Sequence, residues 1–277
     1  MNDRASWPAS LDLVFERRGE RTALGRARHS GPLRVQRPFY PEDEAVCHVY
    51  LLHPPGGVAG GDTLSITIDV ARAGHAVITT PAAGKFYRSA GALASQDVRC
   101  RVAAEACLEY LPQETIFFDG CRARQSIRAE LAPGAGFIGW DISVLGRRAS
   151  GEGFANGSAL SRFELWRDGH PLWLEHSRYI GGSPALDAAW SMRGQSVHGT
   201  LLCVGAGDPS AALRQHIAGW SEREREHVAV TCIDGVTGVR FLADRAGRVA
   251  ERFEELRALL RPVLAGRPAV TPRIWAT

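Results

Sequence analysis

The chain has 277 residues, of which 45% are hydrophobic and 23% are charged. This balance is typical of a globular protein and excludes a disordered chain, a collagen-like repeat and a short disulfide scaffold. The net charge of +3 is too small to indicate a dedicated nucleic-acid-binding protein. The length allows one large domain or two modest ones. Because no segment has the composition of an interdomain linker, we predict a single domain over residues 1–277.

The amino-terminal residues and the cysteines give no sign of export. Acidic side chains occur early, and no apolar run typical of a secretory signal follows them. No later apolar stretch approaches the roughly 18 residues of a membrane span. The six cysteines form no C-x-x-C pair and follow no zinc or haem spacing. We therefore predict a cytoplasmic protein with reduced thiols and without a membrane or nucleic-acid partner.

Most of the chain has the alternating pattern of β-strands. Between Leu64 and Val70 every second residue is apolar, which is typical of a half-buried strand. Similar short runs are separated by Gly- and Pro-rich segments. No long helical patterns alternate with them, so a doubly wound parallel sheet is disfavoured. The other predicted strands are 46–52, 76–80, 98–102, 107–111, 137–145, 163–166, 172–179, 200–204, 228–233 and 239–243.

Two helices are predicted late in the chain. Asp208 and Pro209 are typical of a helix start, and the helix should extend to about Arg225. A second apolar stripe begins near residue 249; Gly266 would end that helix, and Pro262 should end or kink it near residue 261. The predicted fold is mostly β, with stacked, β-helix-like or sandwich-like strands and two helices near the C-terminus.

A glycine-rich segment, residues 56–63, superficially matches a phosphate-binding loop. Asp62 stands where that loop needs lysine, and its carboxylate would repel phosphate. The simpler interpretation is a turn between strands that needs backbone freedom. Four glycines in six positions exceed what a hairpin requires, so we expect the backbone here to approach another group closely.

Two further clusters allow more than one interpretation. Residues 81–89 contain Lys85, Tyr87 and Arg88 and could form either a solvated loop or a basic-aromatic interaction surface. Asp141 lies within an apolar run and either turns outward or is buried with a partner. Strand parity does not decide between these positions. Burial would raise the pKa of Asp141 unless the carboxylate is paired or hydrated.

Catalytic and metal-binding patterns are weak. No histidine pair has a recognised ligand spacing, and no G-x-S-x-G nucleophile elbow occurs. Two alternatives remain to be weighed. One is a cytosolic β-rich hydrolase that uses Asp62 or Asp141 as a base, and the other is a nucleotide-binding module, which Asp62 disfavours.

Seven short segments, in this order, resemble the UreD (UreH) family of urease accessory proteins. They extend from residue 47 almost to the end of the chain, and their order and spacing make the resemblance specific. The segments are C-H-V-Y-L-L-H-P-P-G-G at 47–57 with G-D at 61–62, T-P at 80–81 with G-K-F-Y-R-S at 84–89, L-E-Y-L-P-Q-E at 108–114 with I-F-F at 116–118, W-D at 140–141, L-G-R at 145–147 with G-E at 151–152, L-R-P at 260–262 and P-R-I-W at 272–275.

The resemblance implies a non-enzymatic function. Members of the family act with the UreF scaffold and the UreG GTPase to deliver nickel to the urease apoprotein. The family fold is a mostly β, helix-like stack of strands. No permanently bound cofactor is implied, and Ni²⁺ would pass transiently through a polar internal tunnel.

The resemblance also suggests candidate residues. Asp62 and Asp141 lie on matching segments and are the leading candidates for weak Ni²⁺ transit sites, followed by Glu152 and Glu175. A conducted ion needs carboxylates that attract it and release it, so spaced single carboxylates suit this function better than a closed His/Cys site.

Candidate partner-binding residues lie in two segments. They are Lys85, Tyr87 and Arg88 in the second cluster, and Arg273 and Trp275 in the C-terminal tail. The sequence allows two arrangements of the tail. Either the tail forms part of an interface with UreF, or Trp275 folds back onto the β core.

Overall fold

Seventeen β-strands and three α-helices make up the part of the chain that the computed structural model describes, residues 7–276. The strands are β1 (Pro8–Arg18), β2 (Arg21–Ser30), β3 (Arg34–Val35), β4 (Val46–Leu52), β5 (Thr63–Val70), β6 (His75–Thr79), β7 (Gly84–Phe86), β8 (Ala94–Val102), β9 (Cys107–Leu111), β10 (Thr115–Phe117), β11 (Arg122–Leu131), β12 (Gly136–Leu145), β13 (Ser158–Arg167), β14 (His170–Ile180), β15 (Val197–Val204), β16 (Val228–Ile233) and β17 (Val236–Ala243). The helices are α1 (Ser210–Ala218), α2 (Glu222–Arg225) and α3 (Ala246–Ala265).

The strands form two stacked sheets. The first has seven strands in the order β14-β13-β11-β8-β5-β1-β2. The second has ten strands. Eight follow the order β16-β17-β15-β12-β9-β6-β4-β3; of the other two, β10 pairs with β12, and β7 pairs with β10. From β4 to β13 the chain passes back and forth between the sheets, and neighbouring strands there are parallel. This solenoid-like stack confirms the predicted mostly β architecture.

Two apolar cores hold three layers together. One core fills the space between the two sheets, and the other lies between the second sheet and the helices. Strand β12 contributes to both cores, because Phe137 points into the first and Ile138 and Trp140 point into the second. A strand that is covered on both faces needs a nearly continuous apolar sequence, which β12 has.

The helix predictions require two corrections. The predicted helix from Asp208 to Arg225 is interrupted after Ala218, because Ser221 and Glu224 form a capping box that starts α2. For the second helix the predicted stop at Gly266 is confirmed, but Pro262 does not end the helix near residue 261, because α3 continues through it to Ala265. Pro262 has no backbone N–H to donate. Its carbonyl oxygen nevertheless accepts a hydrogen bond from the backbone N–H of Gly266 at 3.0 Å. Gly266 has a φ of 66°, a left-handed conformation that glycine adopts easily.

Each predicted strand lies within an observed strand or within one residue of it, but three long strands are missing from the prediction. They are β1, β2 and β11. Strand β2 is exposed over most of its length and has no clear apolar face, so its sequence resembles a loop. Strand β11 alternates, but two of its inward positions are alanines, which weaken the apolar signal.

The four loops that connect successive turns of the stack lie on top of one another at one end of the molecule. These motif loops, residues 53–62, 80–93, 112–121 and 146–157, contain most of the family-like segments. Backbone hydrogen bonds join each loop to the next. They include Val58 N–H to Lys85 O at 2.7 Å, Gly84 N–H to Glu114 O at 2.9 Å and Gly146 N–H to Phe117 O at 2.8 Å.

The C-terminal tail folds back onto the second sheet. The Trp275 indole donates a hydrogen bond to Thr79 Oγ1 at 2.9 Å, and its ring centroid lies 5.8 Å from that of Trp140. Of the two arrangements that the sequence left open for this residue, packing onto the β core is confirmed. Arg273 stays exposed on the tail.

A buried ion cluster attaches α3 and the tail to the second sheet. Glu109 of β9 has no solvent exposure, and its carboxylate accepts hydrogen bonds from Arg257 at 2.6 Å and Arg261 at 2.7 Å. A third donor is His75 of β6, at 2.7 Å. Arg261 also contacts both carboxylate oxygens of Glu42 at 2.8 Å. We call these five residues the Glu109 cluster.

Both arginines of the Glu109 cluster also bind the tail. Arg257 donates to the carbonyl of Val270 at 3.2 Å, and Arg261 donates to the carbonyl of Pro268. Burial by itself raises the pKa of Glu109, but Arg257, His75 and Arg261 outweigh it and hold that pKa well below the ordinary glutamate value. The carboxylate is therefore charged in the folded protein and links sheet, helix and tail.

Replacement of Glu109 by glutamine should destabilise the protein strongly. The substitution E109Q leaves two fully buried arginines without their shared carboxylate, a change that typically costs about 3–5 kcal/mol. Urea denaturation at pH 7.5 measures the free energy of unfolding. The matched control is D69N, which removes the carboxylate of the exposed Asp69–Arg101 pair and should cost no more than about 1 kcal/mol.

The pH dependence provides a second measurement for the same variant. Because the folded pKa of Glu109 is depressed, its stabilisation is present above the ordinary glutamate pKa of about 4.3 and is lost as the pH falls below it. The difference in stability between wild type and E109Q should therefore shrink in acid. Equal stability losses in E109Q and D69N would contradict this assignment.

Candidate functional site: a buried polar line between the sheets

Asp141 points into the space between the two sheets, where most neighbours are apolar. It is 8% exposed. Its Oδ1 accepts a hydrogen bond from Gln125 Nε2 at 2.6 Å, and its Oδ2 accepts from Ser161 Oγ at 2.7 Å and Ser143 Oγ at 3.3 Å. Of the two positions that strand parity left open, the inward one is observed.

Burial raises the pKa of Asp141 to about 6, because the ionised carboxylate loses contact with water. Hydrogen bonds from Ser161 and Ser143 oppose the rise, and the nearby charge of Glu175 adds to it. No basic side chain forms an ion pair with Asp141 within the described residues 7–276. Its carboxyl group can therefore gain or lose a proton close to neutral pH.

Glu175 lies near Asp141, since its charge contributes to the raised pKa of that residue. Thr200 of β15 is the cross-strand partner of Asp141, and its hydroxyl donates a hydrogen bond to Glu175 Oε1. The other carboxylate oxygen of Glu175 accepts from Arg240 Nε at 2.6 Å. His198 Nε2 lies 3.8 Å from Oε1. The structure thus brings together two of the four predicted transit residues, Asp141 and Glu175.

Tyr179 and His198 continue these contacts toward the surface. The Tyr179 hydroxyl lies 2.7 Å from His198 Nδ1. Burial lowers the pKa of His198, so its imidazole is neutral near pH 7. We use the name interior polar line for the set Gln125, Ser143, Ser161, Asp141, Thr200, Glu175, His198 and Tyr179.

One end of the interior polar line reaches a surface cavity. Tyr179, His198 and Arg240 line one cavity of about 490 Å³. A smaller cavity of about 160 Å³ lies at the motif loops, and Tyr110 and Lys85 are among its lining residues. The pKa of Tyr110 is raised mainly by burial and further by the charges of Cys100 and Asp141. The contribution of Asp141 indicates that Tyr110 lies near that residue.

Asp62 and Glu152 lie on motif loops, outside the interior polar line. The Asp62 carboxylate accepts backbone hydrogen bonds from Ala59 at 3.0 Å and Trp7 at 3.3 Å. Burial lowers the pKa of His53, which lines the smaller cavity, and the charge of Asp62 opposes that shift. Glu152 pairs with Arg147 at 2.7 Å, and Arg147 holds the pKa of Glu152 below its ordinary value.

The close approach expected of the glycine-rich segment is observed, and its target is the neighbouring motif loop. A Cβ atom on Gly57 would lie 2.5 Å from the ring of Tyr87, and one on Gly60 would lie 2.5 Å from Ser89 Oγ. The Tyr87 ring also packs edge-on against Phe118, with centroids 5.2 Å apart. Glycine at these positions lets the first two motif loops pack together.

The predicted partner-binding residues differ in how freely they face solvent. Tyr87 and Trp275 pack against the protein itself. Lys85 lines the smaller cavity, and Arg88 is largely exposed while it pairs with Asp119 at 3.2 Å. Arg273 is exposed.

Sequence reasoning did not identify most of the interior polar line. Strand β11 offers one usable signal, because Gln125 takes an inward position among Ala123 and Ile127. Ser161 stands likewise between Ala159 and Phe163 on β13. A polar residue at an apolar position of an alternating strand marks a buried polar contact, although it does not identify the partner.

The comparisons with known proteins place this architecture among the urease accessory proteins. The family model described as UreD urease accessory protein matches residues 8–276. A "Urease accessory protein UreD" of Dechloromonas aromatica is 46% identical over 278 residues, covering 98% of this chain and 95% of the relative. One of Marinobacter nauticus is 47% identical over 279 residues, covering 98% and 93%.

The chain belongs to the UreD family of urease accessory proteins. These names describe accessory proteins and not enzymes, in agreement with the prediction of a non-enzymatic protein. No helix between residues 7 and 276 is both long and apolar enough to span a membrane. No three His, Cys, Asp or Glu side chains in the same range lie close enough together to hold a metal ion.

Replacement of Asp141 by asparagine should stabilise the protein at pH 7.5. The folded pKa of about 6 exceeds the ordinary aspartate value of about 3.9, so the unfolded chain ionises first as the pH rises and stability falls across this interval. Asparagine retains a hydrogen-bonding side chain and removes the charge. The expected gain, measured by urea denaturation, is on the order of 1–3 kcal/mol.

The gain should be smaller at pH 4.5, where the native carboxyl is protonated and that of the unfolded chain is only partly ionised. The matched control is E152Q, which removes one negative charge from a carboxylate whose folded pKa is lowered and should bring no gain. A D141N protein that is less stable than wild type at pH 7.5 would show that the charged carboxylate favours the fold.

Proposed function

We propose that this chain is a urease maturation factor through which Ni²⁺ travels to the urease apoprotein. In this proposal the protein acts with UreF and UreG in the cytoplasm, and nickel is its transient cargo. The observation that carries the proposal is the interior polar line. It is a set of mostly buried oxygen and nitrogen groups, in a member of a urease accessory family, that reaches a surface cavity at Tyr179 and His198.

The chemistry of the line suits a cation that must move on. Carboxylate and hydroxyl oxygens attract Ni²⁺ less tightly than a closed His/Cys site does. Conduction requires groups that bind the ion weakly and in series. Asp141 and Glu175 are two single carboxylates from different sheets, and no three potential ligands cluster among residues 7–276.

The fold also explains why such groups can stay buried. An unpaired carboxylate between apolar sheets costs free energy, and three side-chain donors offset only part of that cost for Asp141. Its raised pKa shows that the remaining cost is substantial. Functional sites often contain a buried titratable group whose loss of hydration is only partly compensated by its neighbours.

We further propose that the ion uses the motif-loop cavity as the first mouth of its path. His53, Lys85 and Tyr110 line the first mouth, and Asp62 lies close to His53. Asp62 would then attract the cation at this mouth rather than inside. Glu152, paired with Arg147 on the fourth motif loop, would act at the surface of the same end.

The partner-binding residues fit the same arrangement. Arg88 and Arg273 present exposed guanidinium groups, which are common at protein interfaces. Tyr87 and Trp275 would instead support the shape of the surfaces on which a partner docks, because both pack within the protein. Lys85 stands at the cavity mouth, where a partner that covers the motif loops would meet it.

The hydrolase alternative gains no support from the geometry. The Asp62 carboxylate is occupied by two backbone donors. Asp141 contacts the Ser161 hydroxyl, but both side chains are buried within the sandwich. We therefore propose no catalytic function for either residue.

Blocking the proposed nickel path, at its motif-loop mouth or in the interior polar line, should lower the nickel content of urease without dissolving the accessory complex. The substitutions D141L and D62L place an apolar side chain where the ion needs oxygen partners, and we expect each to reduce nickel incorporation by roughly an order of magnitude. The alanine variant D141A should do less, because water can fill the space and hydrate the ion. The assay measures nickel bound to urease together with co-purification of UreF, UreG and urease.

The matched control is D97L, since Asp97 lies on the outer face of the first sheet, away from the line. It should leave nickel incorporation unchanged. Normal urease activation in both D62L and D141L would refute nickel transit through these residues. Loss of the complex instead of nickel would assign them to structure or to an interface.

A further inference from the structure

A groove separates the edges of the two sheets. β14 is the last strand of the seven-stranded sheet, and β16 is the last strand of the ten-stranded sheet. The cavity of about 490 Å³ lies between them, and its walls come from β14, β15, β16, β17 and the loop at residues 189–193. Its volume is within the range of sites that bind small ligands or short peptide segments. We call it the edge groove.

Positive charge dominates the edge groove. Arg178, Arg193 and Arg240 line it, whereas Glu226 is its one lining carboxylate. Arg178 is exposed, and its side chain has no ion pair or hydrogen bond within residues 7–276. Arg193 donates one hydrogen bond to the backbone carbonyl of Glu226 at 2.9 Å. An anionic partner would therefore find two guanidinium groups that no carboxylate in the described chain neutralises.

Three histidines also line the edge groove. Burial lowers the pKa of His198 and His227, so neither adds much positive charge near pH 7. His176 lies 2.6 Å from the carboxylate of Glu164. Because Arg240 is paired with Glu175, the permanent charges that a ligand meets are mainly Arg178, Arg193 and Glu226.

One wall of the edge groove carries an exposed aromatic side chain. Trp190 is 82% exposed, and Met192 of the same loop is buried. Tryptophan and arginine are the residues that most often contribute the binding energy of protein interfaces. Their combination here favours a polypeptide over a free small anion.

The strand that borders the edge groove can accept an extended polypeptide. β14 is 11 residues long and pairs with β13 along one side only. The backbone groups along the other edge of such a strand can bind an added strand. A second copy of this chain fits poorly at this edge, since two β14 strands would bring the same arginines together.

We propose that the edge groove docks an extended acidic segment of a partner protein. Carboxylates of that segment pair with Arg178 and Arg193, its backbone runs along β14, and an apolar side chain packs on Trp190. The charge complementarity, the open strand edge and the exposed tryptophan point to the same ligand from independent observations.

Docking has a consequence at Arg240. This arginine is bound to Glu175 at 2.6 Å and stacks on Trp173 at 5.0 Å. A docked carboxylate competes with Glu175 for the guanidinium group and so leaves Glu175 freer to contact a cation. This consequence rests on the proposed nickel path, whereas the docking itself does not.

Peptide binding tests the docking directly. The probe is a fluorescein-labelled decapeptide of alternating glutamate and valine, and the comparison peptide alternates lysine and valine. Fluorescence anisotropy with the full-length chain should show binding of the acidic peptide and little binding of the basic one. The assay contains no nickel and no urease, so its result is independent of the proposed function.

Charge reversal locates the binding site. The double variant R178E/R193E should weaken acidic-peptide binding by at least roughly tenfold. The matched control, R26E/R28E, makes the same change of net charge at exposed positions of β2, the opposite edge of the same sheet, and should change the affinity by no more than about twofold. W190A should also weaken binding, because it removes the aromatic anchor.

Replacement of Arg193 removes its hydrogen bond to Glu226 and could disturb the loop that carries it. The single variant R178E removes no such contact and therefore tests the site in a folded protein. Thermal unfolding of every variant checks that it is folded. Absence of acidic-peptide binding to the wild type would overturn the proposal. So would equal weakening in R178E/R193E and R26E/R28E, which would indicate non-specific attraction, and so would equal binding of the basic peptide.

Discussion

The fold depends on one buried carboxylate. Glu109 lies on a central strand of the second sheet and holds two arginines of α3, which in turn bind the tail through Val270 and Pro268. Removal of charged groups from water is costly, and each partner stabilises the others only while all remain paired. The helical layer and the C-terminal tail therefore take their positions from the same ionic contacts. Further along the same tail, the Trp275 ring lies 5.8 Å from that of Trp140.

The buried carboxylate of the interior polar line differs from that of the Glu109 cluster in its partners. The Glu109 cluster pairs its charge with arginines, whereas Asp141 has only neutral hydrogen-bond donors and a raised pKa. Two large apolar cores supply the stability that tolerates this cost. The protein thus contains one carboxylate fixed in the charged state and one that titrates near neutral pH. The first suits a structural role, and the second suits contact with a transient cation.

The solenoid-like order of the strands explains why the family-like segments recur along the sequence. Each pass through the two sheets returns the chain to the same end, so consecutive motif loops lie in contact. Glycines in one loop make room for Tyr87 and Ser89 of the next. Segments separated by about 30 residues therefore form one surface beside the smaller cavity. Elsewhere in the sandwich, the edge groove lies between β14 and β16, because each is the terminal strand of its sheet.

The sequence by itself determined the alternating strands, the mostly β class, the late helices and the motifs that mark the family, because these depend on local periodicity and turn chemistry. It also identified Asp141 and Glu175 as candidates, but not Gln125, Ser161, Thr200 or His198. Only the tertiary structure decided that Asp141 points inward, that Thr200, which pairs with Asp141 across the strands, binds Glu175, and that Glu109 meets arginines about 150 residues later. Such contacts follow from the stacking order of strands and the packing of α3. A one-dimensional pattern does not encode them, because alternation specifies the face of each strand and not its neighbour.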